Sequence, residues 1–105
     1  MATLRLLRST YGSRGNAQAA AQRLIERRLA ACVHVSPLWA TYRWEGKVAQ
    51  GDEWLLEARC LGVDVDAVWA DLLDGHPFDT PLVEVVGEST VPARYAAWAK
   101  RVTKR

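Results

Sequence analysis

The spacing of hydrophobic and polar residues changes several times along the chain, and each change predicts a new element. In the first ten residues, MATLRLLRST, Leu4 and Leu6 alternate with Arg5, which predicts a strand. From Asn16 onward the apolar positions recur at helical spacing, and they are Ala17, Ala20, Ala21, Leu24 and Ile25. We therefore predict a first strand followed by a helix, with Asn16 as the N-cap of that helix.

The middle of the chain alternates with a period of two residues. The segment ACVHV begins this pattern, Pro37 interrupts it, and LWATYRW resumes it before a tight turn at residues 45–47. After the turn one face of the next segment is apolar, and it consists of Trp54, Leu56, Ala58 and Cys60. We predict a long antiparallel hairpin in which Pro37 marks a bulge, a bend or an edge. If the pairing of residues is extrapolated from the turn along both strands, Cys32 could lie opposite Cys60, but a bulge at Pro37 would shift this register.

The second half of the chain contains two further helix patterns around a strand. The first runs from Asp64 to Gly75, which we take as its caps, and its apolar stripe is Val65, Val68, Trp69, Leu72 and Leu73. PLVEVVGE predicts a fourth strand, and VPARYAAWAKRV predicts a terminal helix entered through Pro92, with Tyr95, Trp98 and Val102 facing inward. The order is that of an α+β, ferredoxin-like βαββαβ fold with a C-terminal helix, an antiparallel sheet and two helices packed on one face.

The predicted hairpin is long relative to the chain. Strands of ten or more residues exceed about 30 Å, whereas a compact domain of this size has a radius of gyration of about 13 Å. The distal half, with Trp39, Tyr42 and Trp44, would therefore project beyond the core or leave an apolar edge open. We expect identical subunits to pair with it in a closed symmetric oligomer. The alternative is a hairpin that folds back at Pro37 over its own sheet.

Length and composition limit the class of protein. The chain has 105 residues, half of them hydrophobic, which predicts one domain over residues 1–105. No apolar run approaches the roughly 20 residues that span a bilayer, so we predict neither a signal peptide nor a membrane segment. Cys32 and Cys60 form no CxxC motif. We therefore expect a reduced cytoplasmic protein.

The charge pattern does not favour nucleic acid as a partner. The net charge is only +2, and a basic first half is followed by an acidic segment and a basic tail. We interpret this pattern as solvated surface and subunit complementarity. The strands also lack the aromatic-glycine-aromatic signature of an RNA-recognition motif. Signatures such as GxxxxGK[ST], HExxH and GxGxxG are absent, and we predict no enzymatic activity.

Several motifs together resemble the CutA family of divalent-ion tolerance proteins. They are LAACVHVSP, TYRWEGKV, Glu53 followed by Arg59, HPFDTP, and finally Tyr95 with Trp98. The resemblance implies a homotrimer of ferredoxin-like subunits, locked by long hairpins that extend sheets across subunit boundaries. It also implies a role in the response to metal ions, with copper binding in some members and no established catalytic reaction.

The resemblance further implies a metal position, and this chain differs from the family there. Ser9 aligns with the family's cysteine at the end of the first strand, and the family's paired histidines become Gly75 and His76, so His76 is the remaining candidate ligand for copper or another divalent ion. From the residues alone, His76 could instead cap a helix or bond a loop carbonyl. Cys32 and His34, two residues apart on one strand, could chelate an ion or pack as a small hydrophobe and a hydrogen-bonded imidazole.

A second interpretation is a pocket for a small anionic ligand between subunits. The candidate residues are Tyr42, Trp44, Lys47, Arg59, His76, Tyr95 and Trp98. Lys47 and Arg59 could neutralise an anion while an indole stacks on a flat group. Alternatively, Arg59 pairs with a carboxylate such as Glu53 or Glu57, and the indoles pack in an interface. The corresponding function is a ligand-sensing or scaffold protein of the PII-like type that acts through protein contacts.

Overall fold

A computed structural model describes residues 1–105. Its elements in chain order are β1 (Ala2–Tyr11), α1 (Arg14–Glu26), β2 (Cys32–Trp44), β3 (Lys47–Cys60), α2 (Val65–Asp74), β4 (Val83–Val91) and α3 (Ala93–Val102), with a short 3₁₀ turn, Gly62–Asp64, before α2. The four strands form one antiparallel sheet in the order β2-β3-β1-β4. This confirms the predicted α+β, ferredoxin-like order with an additional C-terminal helix. None of the helices has the length and hydropathy of a membrane-spanning segment.

The main core lies between one face of the sheet and helices α1 and α2. Its fully buried members include Leu7, Tyr11, Ala17, Ala20, Leu24, Leu56, Ala58, Cys60, Val68 and Leu72. Successive strand residues point to opposite faces, so Leu4 lies on the other face of β1 from Leu7. There α3 packs Ala99 against Leu4 and Ala31. The predicted apolar face of β3 is thus confirmed, and α3 covers one end of the opposite face.

Details at the ends of the helices differ from the predictions. Ser13, not Asn16, caps α1, because Ser13 has extended backbone angles and its hydroxyl accepts a hydrogen bond from the Asn16 N–H at 3.1 Å. Val102 was expected to face inward but is exposed. The buried positions at the end of α3 are Ala99 and Thr103, whose hydroxyl donates to the Ala99 carbonyl at 2.7 Å.

The hairpin continues straight through Pro37. Strands β2 and β3 pair without a shift from Cys32 opposite Arg59 to Trp44 opposite Lys47. Pro37 is tolerated because β2 is an edge strand, where a missing N–H leaves no ladder bond unmade. A hairpin that folds back at Pro37 is therefore wrong.

The pairing of Cys32 with Cys60 is also wrong. The turn has two residues, Glu45 and Gly46, which sets Cys32 opposite Arg59 and turns Cys60 to the other face of the sheet. Both cysteines are free. Burial, helped by the nearby Asp64 carboxylate, raises the pKa of the Cys60 thiol to about 11, so Cys60 stays protonated near neutral pH.

The distal half of the hairpin extends beyond the four-stranded sheet. Strand β1 pairs with β3 only as far as Tyr11 opposite Trp54. Residues 38–53 therefore form a two-stranded ribbon, the distal ribbon, with no neighbouring strand on either side. The molecule measures 46 × 24 × 20 Å and its radius of gyration is 14.4 Å. The predicted projection of the hairpin past the core is confirmed.

The turn at the tip of the distal ribbon requires left-handed backbone angles. Glu45 has φ 51° and Gly46 has φ 78°. Two-residue hairpin turns with both φ values positive match the twist of the strands, and they favour Asn-Gly over Glu-Gly. Glu45 is thus strained at the one place where β2 turns into β3.

Replacement of Glu45 by asparagine is expected to raise the free energy of unfolding by about 0.5–1 kcal/mol, because asparagine adopts the left-handed conformation at lower cost. Chemical denaturation at fixed protein concentration measures this change. The control is Glu45→Gln, which removes the same charge without that backbone preference and should leave stability unchanged. Equal gains in both variants would show that charge, not backbone conformation, limits the turn.

Candidate functional site

The predicted pocket residues lie at three places in a single chain. Tyr42, Trp44 and Lys47 lie at the tip of the distal ribbon, whereas Arg59, Tyr95 and Trp98 lie where β3 meets α3. His76 lies after the end of α2, against β1. One subunit therefore does not bring all seven side chains together, and a pocket shared between subunits stays a prediction.

His76 is held by both of its ring nitrogens. The ring stacks on Tyr11 at 4.4 Å between centroids. Nε2 donates to the Thr10 carbonyl at 2.8 Å, and Nδ1 accepts from the Phe78 N–H at 3.1 Å. Burial lowers the pKa of His76, and the bond to Thr10 opposes that shift. The neutral imidazole thus joins the loop after α2 to the end of β1.

The two positions that accompany His76 in the metal prediction offer no suitable donors. Ser9 is fully buried, and its hydroxyl donates to the Leu82 carbonyl at 2.8 Å. At Gly75 a Cβ atom would lie 2.5 Å from Nη2 of Arg23, so a guanidinium fills the space of a side chain there. Arg23 is held in place by Asp71, whose carboxylate it meets at 2.8 Å.

The residues at positions 9, 75 and 76 therefore do not fit a metal ion in this arrangement. Metal binding by His76 stays a prediction, and it requires the ring to release one of its two hydrogen bonds. No group of three or more His, Cys, Asp or Glu side chains in the chain is placed to hold an ion.

A separate polar cluster lies on the face of the sheet that α3 partly covers. The Cys32 Sγ atom is 3.5 Å from Nε2 of His34, and Nδ1 of His34 is 3.3 Å from Nη1 of Arg59. A guanidinium can only donate, so Nδ1 accepts and Nε2 carries the proton. Arg59 also donates from Nε to the Ser89 hydroxyl at 3.1 Å.

The partners of Arg59 differ from the carboxylates considered above. Glu57 pairs with Arg8 at 3.1 Å instead, so the pairing of Arg59 with Glu57 is wrong within one chain.

Tyr95 and Trp98 lie at 5.3 Å between ring centroids. Burial raises the pKa of Tyr95, Cys32 raises it further, and Arg59 lowers it. Cys32, His34 and Arg59 lie together because Cys32 is opposite Arg59 in the sheet and His34 is two residues further along β2, on the same face.

A cavity lies between the distal ribbon and the loop after α2. Its volume is about 860 Å³, and its lining is Thr10, Leu38–Tyr42, Trp44, Glu53, Pro77–Thr80 and Leu82. Tyr42 and Trp44 belong to it, whereas Lys47 and Arg59 do not. Its charged members are Glu53 and Asp79, so within one chain it offers an apolar, acidic lining and no cation for an anion. Sequence reasoning missed Phe78 and Leu82 here, although the HPFDTP motif marks their loop.

The chain is similar to known proteins over nearly its whole length. The profile of the CutA1 divalent ion tolerance protein family matches residues 6–102. The chain belongs to this family. A family member from Pectobacterium atrosepticum, named divalent-cation tolerance protein CutA, is 36% identical over 83 residues, which cover 78% of this chain and 76% of that protein.

Solved structures of the family share the fold. CutA from Synechococcus elongatus superposes with a TM-score of 0.85 at 32% identity, covering 99% of this chain and 93% of that chain. A CutA structure from Archaeoglobus fulgidus, described as a periplasmic divalent cation tolerance protein, has a TM-score of 0.89 at 23% identity and covers 96% and 99% of the two chains. The shared fold thus extends over nearly the whole length of the chain.

The protonation of His76 is expected to couple to stability. Its pKa is lowered from 6.5 in the folded protein, so folding favours the neutral ring. This contribution is complete above about pH 6.5 and is lost as the pH falls through the folded-state pKa. The difference in free energy of unfolding between the wild type and His76→Gln should therefore shrink below pH 6.5.

NMR titration of the imidazole protons checks the shift directly, and His34→Gln assigns the two histidine signals. A folded-state pKa for His76 at or above 6.5 would contradict a neutral, doubly bonded ring.

Proposed function

We propose that the protein acts in the response to divalent metal ions, with copper among the candidate ions, as a homotrimer that binds ions and ligands rather than catalysing a reaction. Family membership supports the metal response, because its members carry the name of divalent-cation tolerance proteins. The distal ribbon is the observation that supports the assembly. The proposed location is the cytoplasm, although the Archaeoglobus relative is described as periplasmic.

The distal ribbon has apolar side chains on both faces. Tyr42 and Trp44 alternate onto one face and Trp39 onto the other. Trp39 is 64% exposed and Trp44 is 54% exposed. The backbone of the distal ribbon also has no neighbouring strand on either side. A two-stranded hairpin of this kind is at best marginally stable in water, so another surface must cover it.

A second apolar surface lies on the opposite edge of the sheet. Val85 and Val86 of β4 are exposed, and β4 has a neighbour on one side only. Contact between two different surfaces is heterologous, and repeated heterologous contacts close into a ring when the rotation permits. This geometry supports a cyclic assembly such as a trimer, in which each ribbon meets the next subunit.

The distribution of ion pairs supports the proposal that nucleic acid is not a partner. Each basic segment meets carboxylates in the fold: Arg8 pairs with Glu57, Arg27 with Asp71, and Arg105 with Asp64. Cations that are already neutralised leave fewer charges to contact phosphates.

A matched pair of valines tests the assembly. Val48 on the distal ribbon and Val63 in the turn before α2 are both exposed in one chain. Val48→Glu is expected to lower the molar mass in light scattering from three subunits toward one, because the charge would be buried against a neighbour. Val63→Glu should leave the mass unchanged. A wild type that has the mass of one subunit, or equal behaviour of both variants, would contradict the proposed trimer.

Growth under metal stress tests the function itself. A cell that lacks its own CutA protein is expected to tolerate less copper or zinc in the medium, and this chain should restore growth. Val48→Glu should restore it less well than Val63→Glu, because the proposed function is that of the assembled trimer. No difference in growth between cells with and without the chain would contradict a role in metal tolerance.

The cavity of about 860 Å³ favours a second candidate function. A pocket of this size and aromatic lining is typical of small-molecule sites. A PII-like ligand sensor would use it to change the position of the distal ribbon and hence a protein contact. In a trimer, Lys47 or Arg59 of a neighbouring subunit could supply the cation for an anionic ligand. Absence of any ion binding below about 10 μM would favour this alternative.

A further inference from the structure

We propose that Cys32 and His34 form a two-ligand site for a soft or borderline metal ion, Zn(II) or Cu(I), at the base of β2. This inference rests on the proposed metal response and gives it a site that is separate from His76. The thiol and the imidazole are both donors that such ions prefer. Their placement on alternate residues of one strand directs both to the same face.

The distance between the two donors matches a shared ion. Zinc lies about 2.3 Å from a thiolate sulfur and about 2.0–2.1 Å from an imidazole nitrogen. At a tetrahedral angle these lengths separate sulfur from nitrogen by about 3.5 Å. In this chain Cys32 Sγ and His34 Nε2 are 3.5 Å apart. An ion can thus be held by both atoms with only small side-chain rotations.

The pair is also accessible, unlike the positions around His76. His34 is exposed and Cys32 is half-buried, so an ion reaches them from solvent. The second nitrogen of His34 meets a side chain, Arg59, whereas the two nitrogens of His76 meet the backbone groups of Thr10 and Phe78. A side chain can turn away at lower cost than a strand or a loop can move. The Tyr95 side chain also forms a hydrogen bond with Cys32, so the remaining coordination positions would be filled by water beside this phenol.

Binding requires a defined exchange of protons. The Cys32 thiol releases its proton to solvent and becomes the thiolate that ligates the ion. The His34 proton leaves Nε2, and through solvent a proton is placed on Nδ1, so the ring stays neutral. One proton is therefore released per ion from a protonated thiol, and two bonds form, sulfur to metal and Nε2 to metal.

Arg59 opposes this exchange and so offers a specific test. Once Nδ1 carries the proton, it faces Nη1 of Arg59 at 3.3 Å, and both groups are donors. Arg59 must then turn away while it keeps its bond from Nε to the Ser89 hydroxyl. Its positive charge also repels the ion. Removal of the guanidinium should therefore strengthen metal binding, an effect that a purely structural role of the cluster would not produce.

Calorimetric titration of the full chain with Zn(II) tests the site, and competition with a chelator under anaerobic conditions tests Cu(I). We expect one ion per chain. Cys32→Ser and His34→Gln should each weaken binding at least tenfold, and Arg59→Gln should strengthen it at least threefold. Cys60→Ala is the matched thiol control and should leave the affinity unchanged. Loss of binding in His76→Gln with binding retained in Cys32→Ser would place the ion at His76 and overturn this site. Circular dichroism and molar mass confirm that each variant is folded and assembled.

Co(II) provides a readout that does not depend on affinity alone. A thiolate ligand gives a sulfur-to-cobalt charge-transfer band, which should be present in the wild type and in Cys60→Ala and absent in Cys32→Ser. Binding without this band, or binding that Cys32→Ser and His34→Gln leave intact, overturns the site while the metal response stands. Binding at the site in a protein that gives no growth advantage overturns the metal response instead. No bound ion at all overturns the site.

Discussion

The open backbone edges of the distal ribbon are the constraint on which the rest of the structure depends. A strand must place its N–H and C=O groups in a ladder or in water, and apolar side chains beside it make water a poor partner. The two strands within residues 38–53 pair with each other and with no other strand. Their aromatic side chains lie on both faces, so no single layer of this chain could cover them. The proposed symmetric assembly would satisfy both requirements with one type of contact.

Two candidate regions differ in how accessible their side chains are. Near the start of strand β2, His34 is exposed and Cys32 is half-buried, so both can be reached in one chain. The region around His76 has the opposite character. There Arg23 fills the space beside Gly75, and both nitrogens of the imidazole are bonded. The side chains around Gly75 and His76 thus serve as contacts that hold α1, α2 and β1 together.

The sequence predicted the elements well because their periodicities differ strongly. The helix bounded by Asp64 and Gly75 and the uninterrupted apolar face of β3 could be identified without tertiary information. The N-cap of α1 could not, because serine and asparagine are equally good caps and lie three residues apart. The register of the hairpin depended on whether the turn has two residues or three, and one residue reverses the face on which Cys32 lies.

The candidate site was less predictable than the fold. His76 was recognised as either a ligand or a structural imidazole, but its partners are backbone groups of Thr10 and Phe78 that no side-chain motif encodes. The proximity of Arg59 to His34 and Ser89 depends on strand order, since it joins three different strands. The acidic, aromatic cavity depends on how the distal ribbon and the loop after α2 approach each other, which periodicity does not describe.

Amide hydrogen exchange of residues 47–53 tests the central claim most directly, because alternate N–H groups in this segment point away from β2. If another subunit pairs with or covers the distal ribbon, these outward amides should be protected at high protein concentration and should lose protection on dilution as the assembly dissociates. Rapid exchange of the outward amides at every concentration would contradict the account, since the ribbon would then be stable in water without a neighbour.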